Sequence, residues 1–557
     1  MLKKYGILKV FAVENKRIIT VAFLFGLLSI GCTVLIPLFI GEFYQLVLQT
    51  NSARGHLFES IFGHINSINY FFILFSGLLI LRFVFNLLEK YYVGVSGEAF
   101  SNYLRKKLFN KQIRTDLQIF EARDSGSYLL RYSGDMKATQ DYLTKGVIQF
   151  LYDCIFMIAA ITLLMMLEWQ LTMFLVGALP MLFLINFLLN NNMRSITQKR
   201  RNLRSRNLAF VTTRLKAITT VKLFNRESVE AEKFNNRSER LYQIGKKYHF
   251  LSALMQALYP LLLYATLVLM LWFVYFQFNS TQGSLDGPAL ITFIMLVLSI
   301  IPVYKRILKV NMIWISGNVS FNKILVILNA KEENNNITAE ESTISSGEIR
   351  FTKVNFGFNG KQIFEDLSFE IKGNSTTCIT GPQGSGKSTI FKLITGLYDI
   401  ESGSIYVDDL NIKNISHQQL RKNITIVSDS IPLLGSTIFE VVSYSRKEKK
   451  RKVAFEILSD LGFIKNGGTE ILDHSVKEGG KNLSAGQRKL LMLARAFLTN
   501  KKILLLDEPF NDLDPEYKEK VRSLIYKMRK DHTIVIIEQN KTFSDYDQQI
   551  ILHPQHV

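Results

Sequence analysis

Nine consecutive residues carry the side chains and the backbone freedom needed to hold a polyphosphate. Gly381, Pro382, Gln383, Gly384, Ser385, Gly386, Lys387, Ser388 and Thr389 follow the strand-like Thr377–Thr380 and precede the helix-like run IFKLITGL. This is the pattern G-x-x-x-x-G-K-[ST] in the strand–loop–helix setting that gives it meaning. Glycines let consecutive backbone N–H groups wrap phosphate oxygens, and the helix N-terminus adds its own attraction for anions. Lys387 supplies a point charge to the outer phosphates, and Ser388 offers its hydroxyl to Mg²⁺. A glycine-rich turn without a ligand is the bland alternative, and the flanking strand and helix argue against it.

Two further segments complete the chemistry of a nucleoside triphosphate. In KILLLDEP, Lys502–Pro509, four apolar residues form a buried strand that ends in Asp507 and Glu508. Asp507 is suited to the magnesium shell, and Glu508 to polarising the attacking water. Two acids at a strand end are a weak signal alone. Downstream of a phosphate loop, in a doubly wound pattern, they are a strong one. In KNLSAGQRKLLMLARAFL, Lys481–Leu498, the residues Leu483–Gln487 open a long helix. Ser484 and the backbone N–H groups beside Gly486 and Gln487 are thereby placed to meet a phosphate. Leu490, Leu493, Ala494 and Phe497 recur at core spacing and are packing rather than site.

These segments need a frame, and the chain divides sharply. At 557 residues it is too long for one core. Residues 347–557 alternate strand-like and helix-like segments, as a soluble α/β domain does. Long apolar runs dominate the part before. Six are long enough for a helix to cross the hydrocarbon core: about Ile18–Ile40, Ile68–Leu88, Val147–Leu167, Leu171–Leu189, Leu254–Phe276 and Ala289–Leu308. Only Glu168-Trp169-Gln170 separates the third from the fourth, which predicts a tight helical hairpin. Ile18–Ile40 is too long for the apolar core of a secretory signal. Arg82 interrupts the second run and either faces a cavity or snorkels.

Charge orients the spans. Gly41–Ser67 holds only Arg54, and Gln277–Pro288 holds no Lys or Arg. The connections on the other side carry Arg105, Lys106, Lys107, Lys111 and Arg114, then Lys199, Arg200, Arg201, Arg204 and Arg206. The positive-inside rule places both termini in the cytoplasm. A net charge of +20 distributed in this way speaks for a bilayer and not for nucleic acid. The basic connections keep helical periodicity, with Leu104, Leu108 and Ile113 on one face and Leu215, Ile218 and Leu223 on another, so long helices continue beyond the membrane. Cys32, Cys154 and Cys378 have no zinc or disulfide spacing.

This combination resembles the ATP-binding cassette (ABC) family, whose signature sequence is similar to LSAGQ at Leu483–Gln487. The whole chain resembles an exporter half-transporter. Its expected architecture is an all-α transmembrane domain of six helices with cytoplasmic extensions (1–330), a linker (331–346) and an α/β P-loop nucleotide-binding domain (347–557). FEARDSGSYLLRYSGD, Phe120–Asp135, and TVKLFNRESVE, Thr220–Glu230, look like the family's coupling segments. The resemblance implies ATP and Mg²⁺ as cofactors and a second half-transporter as partner, like or unlike. Two cassettes face head-to-tail, and each site joins one chain's phosphate loop to the other's signature. ATP binding closes the cassettes, and hydrolysis reopens them to drive alternating access. Phe358 sits where the family stacks an aromatic on adenine, and Asp514 occupies its D-loop position. The implied location is the bacterial inner (plasma) membrane.

Two positions depart from the family pattern. Asp429 stands where the Q-loop glutamine is expected, and Gln539 where the switch histidine is expected. A carboxylate at 429 could still ligate magnesium, directly or through water. An amide at 539 can donate to the γ-phosphate but cannot carry imidazole's proton or charge. Slowed hydrolysis in this chain's own site follows, as in the weaker-site half of a heterodimer. An ATP-binding regulatory subunit with little hydrolysis is the competing reading, and the retained Glu508 argues against it. Within the spans Asn86, Asn186, Thr162, Thr172 and Thr292 are scattered, and an apolar cavity would suit lipids or other hydrophobic compounds.

Overall fold

The computed structural model describes residues 2–48, 63, 67–121, 128–129, 131–281, 287–333, 344–358, 361–445, 447–465, 467–539 and 543–553. They fall into two compact units. One comprises Met1–Ile113 with Asp124–Asn329, and the other Arg114–Arg123 with Ala330–Val557.

The first unit is helical. Among the described residues five helical stretches are long and apolar enough to cross a membrane: Lys16–Val47, Ile68–Gln112, Arg131–Leu167, Glu227–Phe276 and Gly287–Leu328. The fourth expected span falls in the helix Trp169–Lys216, where most side chains from 178 to 191 lie outside the described set. Glu168 turns the chain between the third and fourth spans with φ −149° and ψ 93°, and Trp169 beside it is exposed. The helices outrun the bilayer. Ile68–Gln112 has 45 residues, a rise of about 68 Å, against a hydrocarbon core of about 30 Å. In its extension Leu104 and Leu108 are buried, as their spacing predicts, whereas Ile113 lies beyond the last turn and is exposed. Leu215, Ile218 and Leu223 are also exposed, so the apolar face they form is not covered by the described residues of this unit. Here the chain reverses through the short helix Ile218–Leu223 and Asn225, whose φ is 49°, into the helix Glu227–Thr281.

The second unit is α/β. Its antiparallel sheet, in the order β2-β1-β4-β5, contains β1 (Ile349–Phe358), β2 (Lys361–Ile371), β4 (Ser402–Val407) and β5 (Leu410–Asn411). Its parallel sheet, in the order β6-β7-β8-β3-β9, contains β3 (Thr376–Thr380), β6 (Ile424–Val427), β7 (Ile503–Asp507), β8 (Thr533–Ile537) and β9 (Gln548–Ile551). Central strands of a parallel sheet are covered on both faces and so read as unbroken apolar runs. Accordingly β8, TIVII, is buried at every position. The register Cys378↔Ile536, Leu506↔Ile536 and Val427↔Leu506 aligns β3, β8, β7 and β6. Their C-terminal ends therefore lie along one edge, which is where ligands bind in such sheets.

Arg114–Arg123 belongs to the α/β unit, although the sequence places it inside a transmembrane domain ending at 330. Its contacts explain this. Asp116 N–H donates to the Lys331 carbonyl at 3.2 Å, and Glu333 N–H to the Arg114 carbonyl at 2.9 Å. Glu121, at the end of the helix Leu117–Glu121, pairs with Lys392 at 3.2 Å and accepts from the Tyr398 hydroxyl. Residues 334–343 of the expected linker, and 122–127 and 130 of one expected coupling segment, lie outside the described residues.

Candidate active site

Four strand ends build the site. After β3 comes the phosphate loop, after β6 Ser428 and Asp429, at the end of β7 Asp507 and Glu508, and after β8 Glu538 and Gln539.

The loop's glycines are required by geometry at two points. Gly386 has φ 84°, and a Cβ there would sit 2.7 Å from the Phe364 ring. Gly381 approaches the Leu552 carbonyl so closely that a Cβ would lie 2.6 Å from it. The helix Lys387–Ile394 starts directly after Gly386. Lys387, itself buried, bends back so that its Nζ donates to the Gly381 and Pro382 carbonyls, each at 2.8 Å. Ser385 Oγ is buried and has no hydrogen-bond partner among the described residues. A buried hydroxyl without a partner is unfavourable unless a ligand supplies one. Together with the lysine and the helix N-terminus, it fits the loop to a phosphate group. Ser388 is exposed in the first helical turn, Thr389 N–H closes on the Gly386 carbonyl at 2.9 Å, and Pro382, Gln383 and Gly384 form the exposed rim.

The acids are held individually. Asp507 accepts from Ser428 Oγ at 3.1 Å. Glu508 adopts φ 49°, a left-handed conformation uncommon for this residue type. Its N–H donates to the Ile537 carbonyl at 2.9 Å, and its carboxylate accepts from Asn511 Nδ2 at 2.6 Å. Asp429 points its Oδ2 at Lys489 Nζ, 2.8 Å away. That ammonium also donates to the Glu508 carbonyl at 3.2 Å. Among the described residues no group of three or more His, Cys, Asp or Glu side chains is gathered as a metal site. Magnesium accompanying phosphates needs only one or two protein oxygens, a number that Asp507 and Ser388 would suffice to supply. Asp429 is already committed to a buried cation. Gln539 is exposed, while the preceding Glu538 is buried and accepts from Phe543 N–H at 3.0 Å.

The signature lies apart from the loop. Ser484 caps the helix Ala485–Thr499 and shares a reciprocal capping box with Gln487, through bonds of 3.1 and 3.0 Å. Gly486 is where the Asp512 carbonyl comes closest, 2.8 Å from a would-be Cβ. This helix packs into one apolar core, with Leu504, Leu506 and Val521, whereas the phosphate-loop helix packs into another, with Phe351, Ile405 and Leu505. Ser484 and Gln487 are exposed, as is Asp514 at the start of the helix Pro515–Met528. Phe358 stacks on Tyr398, with ring centroids 5.5 Å apart and an interplanar angle of 12°, and is half-buried.

Two features escape motif reading. Lys489 is one; its place on the apolar stripe with Leu493 and Phe497 was the available signal. The other lies in the membrane unit. Arg306 grips the buried Asp153 through Nε at 3.0 and 3.1 Å and Nη2 at 2.6 Å. Both charges interrupt predicted spans.

Comparison with known proteins agrees with this architecture. Residues 19–301 match the family model described as ABC transporter transmembrane region, and residues 364–511 match the one described as ABC transporter. The chain belongs to the ABC transporter family. ABC transporters couple ATP hydrolysis to transport, and this one is a multi-pass membrane protein with its nucleotide-binding unit on the same chain. It is similar to YknV, an uncharacterized ABC transporter ATP-binding protein of Bacillus subtilis (strain 168), with 27% identity across 97% of this chain and 88% of the relative. It is also similar to the ATP-dependent lipid A-core flippase of Haemophilus influenzae (strain 86-028NP), with 26% identity across 86% and 82%. A solved bacterial Atm1-family ABC exporter with ATP bound has the same fold, with a TM-score of 0.83 at 21% identity over 97% of this chain and 94% of that one.

Proposed function

We propose that this ABC transporter chain is one half of a dimeric exporter that moves a lipid or another hydrophobic compound, and that it supplies the weaker ATP site of an unlike pair. The observation that carries the dimer is the separation of Ser484, Gly486 and Gln487, on one core, from the phosphate loop on another. Exposed Leu223 and Phe224 on the reversal of a basic connection add an apolar surface for a second chain. The flippase relative supports a lipid cargo. The charge alternation supports a chain in the inner (plasma) membrane with both termini and the cassette in the cytoplasm.

In this reading ATP draws Lys387 off the loop carbonyls and onto its outer phosphates, while Ser385 and the loop N–H groups take phosphate oxygens. Ser388 and Asp507 would hold Mg²⁺, which would supply charge neutralisation on the phosphates. Glu508, fixed by Asn511, orients the attacking water. Phe358 offers adenine the face turned away from Tyr398. The partner's signature completes this site, and Ser484, Gly486, Gln487 and Asp514 complete the partner's. Gln539 can bond the γ-phosphate but brings no positive charge, which slows hydrolysis here.

The test is ATPase activity of the purified chain, alone, in lipid. Low turnover that rises on adding an unlike half-transporter is expected. Vigorous, cooperative turnover from a stable homodimer would sink the heterodimer.

A further inference from the structure

Lys489 is 1% exposed, the lowest value of any Lys or Arg among the described residues. It stands one and two turns before Leu493 and Phe497 on the buried face of the Ala485–Thr499 helix. An ammonium at such a place must be paired and hydrogen-bonded to be tolerated. Its partners are Asp429 Oδ2 at 2.8 Å and the Glu508 carbonyl at 3.2 Å. One side chain thus ties together the end of β6, the signature helix and the end of β7.

Both ends of this tether matter to nucleotide chemistry. Asp429 follows Ser428, whose hydroxyl bonds Asp507, and its side chain is 59% exposed at the strand-end edge where ligands bind in such sheets. A bare carboxylate there repels phosphate. Glu508 holds a left-handed backbone. Its N–H is fixed by the Ile537 carbonyl and its own carbonyl by Lys489, so both of its flanking peptides are pinned.

We infer that Lys489 is a positioning residue of the ATP site: its ammonium cancels the charge of Asp429 beside the phosphates and clamps the backbone that presents Glu508. Asp429 and Lys489 then form a coupled pair in which either residue alone is harmful. Asp429 acts through this neutral pair and is not a magnesium ligand. The inference rests on the nucleotide reading of the site and is independent of which partner completes it.

The experiment uses the full chain in lipid nanodiscs and the binding of trinitrophenyl-ATP with Mg²⁺. Lys489→Met keeps the length and removes the charge, which strands Asp429 against the phosphates. Affinity is expected to fall at least about tenfold, because juxtaposed like charges are costly while solvent screens part of the effect at Asp429, whose side chain is 59% exposed. The double variant Asp429→Asn with Lys489→Met is expected to bind within about twofold of the original chain, because no charge is stranded. A merely structural lysine gives no such rescue. Wild-type affinity in Lys489→Met, or equal weakness in a folded double variant, overturns the inference. Should Lys489→Met fail to fold, Lys489→Gln carries the same comparison. Failure of the unaltered chain to bind the nucleotide would instead overturn the nucleotide reading of its loop.

Discussion

Removing Arg306 isolates the energetics of the membrane unit. Asp153 is 3% exposed on the helix Phe150–Leu167, and three hydrogen bonds bind it to Arg306 on the helix Gly287–Leu328. In Arg306→Met the Gln149 amide, 3.2 Å from Oδ1, is the one side-chain donor among the described residues that still serves that carboxylate. Breaking a buried pair from one side costs about 3–5 kcal/mol. Arg306 is itself 47% exposed, and the surviving amide bond relieves part of the loss, so the low end, about 3 kcal/mol, is expected. At about 2.1 cal/mol/K of unfolding entropy per residue, a unit of about 320 residues shifts by about 1.5 °C per kcal/mol, so the midpoint falls by about 4–5 °C. Thermal unfolding of the chain in nanodiscs, followed by tryptophan fluorescence, reads this directly, since Trp169, Trp272 and Trp314, the three tryptophans of the chain, all belong to this unit. The double variant Asp153→Asn with Arg306→Met strands no charge and should recover most of the loss. A fall of less than 2 °C in Arg306→Met, or an equal fall in both variants, would refute the reasoning, because the pair would then be worth no more than a surface contact of about 0–1 kcal/mol.

Glu508→Gln should lower phosphate release by about 10²–10⁴-fold while MgATP binding persists, since the amide cannot take the water's proton; single-turnover hydrolysis in the assembled dimer measures it. Gln539→His should raise the turnover of this chain's own site several-fold and make it pH-dependent near the histidine range of about 6.5, and unchanged steady-state ATPase would count against the weaker-site reading. Asp408 loses solvation on folding, but bonds from Ser346 Oγ and the backbone N–H groups of Ser345 and Glu348 outweigh this and hold its carboxyl below the usual range. Its contribution is therefore present above the unfolded carboxylate range and lost as pH falls through the lower folded value. Hydrogen-exchange protection at Ser345 and Glu348, taken relative to the intrinsic rate at each pH, should fall on that acidic limb, and in Asp408→Asn it should already be low at neutral pH.

The legible parts of the sequence were those in which local chemistry dictates local structure. GPQGSGKST specified its loop because only glycine fits beside Phe364 at φ 84°. TIVII and ILLLD read as central parallel strands because both their faces are covered. LSAGQ announced a helix start, and the capping box between Ser484 and Gln487 is that start. The illegible parts depend on pairs far apart in the chain. Asp429 reads alone as a free carboxylate suited to a metal; it is 60 positions from Lys489, and only the packing of the signature helix beneath β6 brings the two together. Asp153 and Arg306 are 153 positions apart, and each reads alone as a flaw in an apolar span. Arg114–Arg123 overlaps the expected coupling segment only from Phe120, and the sequence does not assign it to the α/β unit, because its attachment is made by Glu121 with Lys392 and Tyr398, residues of ordinary surface type.

The same reasoning bears on what departs from the family pattern in this site. Substitutions at single positions look like losses when each is compared with a motif one residue at a time. Asp429 in the glutamine's place would be a simple loss if its charge were free beside a triphosphate. A buried lysine on the neighbouring helix makes it half of a neutral unit and leaves Asp507 and Glu508 as the acids whose side chains are not held by a cation. Gln539 has no such compensation among its described neighbours; it is exposed at the end of β8. The two departures are therefore unequal in kind. On the proposed reading, the one at 429 is a rebuilt contact that preserves charge balance, whereas the one at 539 lacks the proton carrier that the family resemblance leads one to expect. A site that binds ATP and turns it over slowly is the expectation that follows from this asymmetry under the weaker-site proposal.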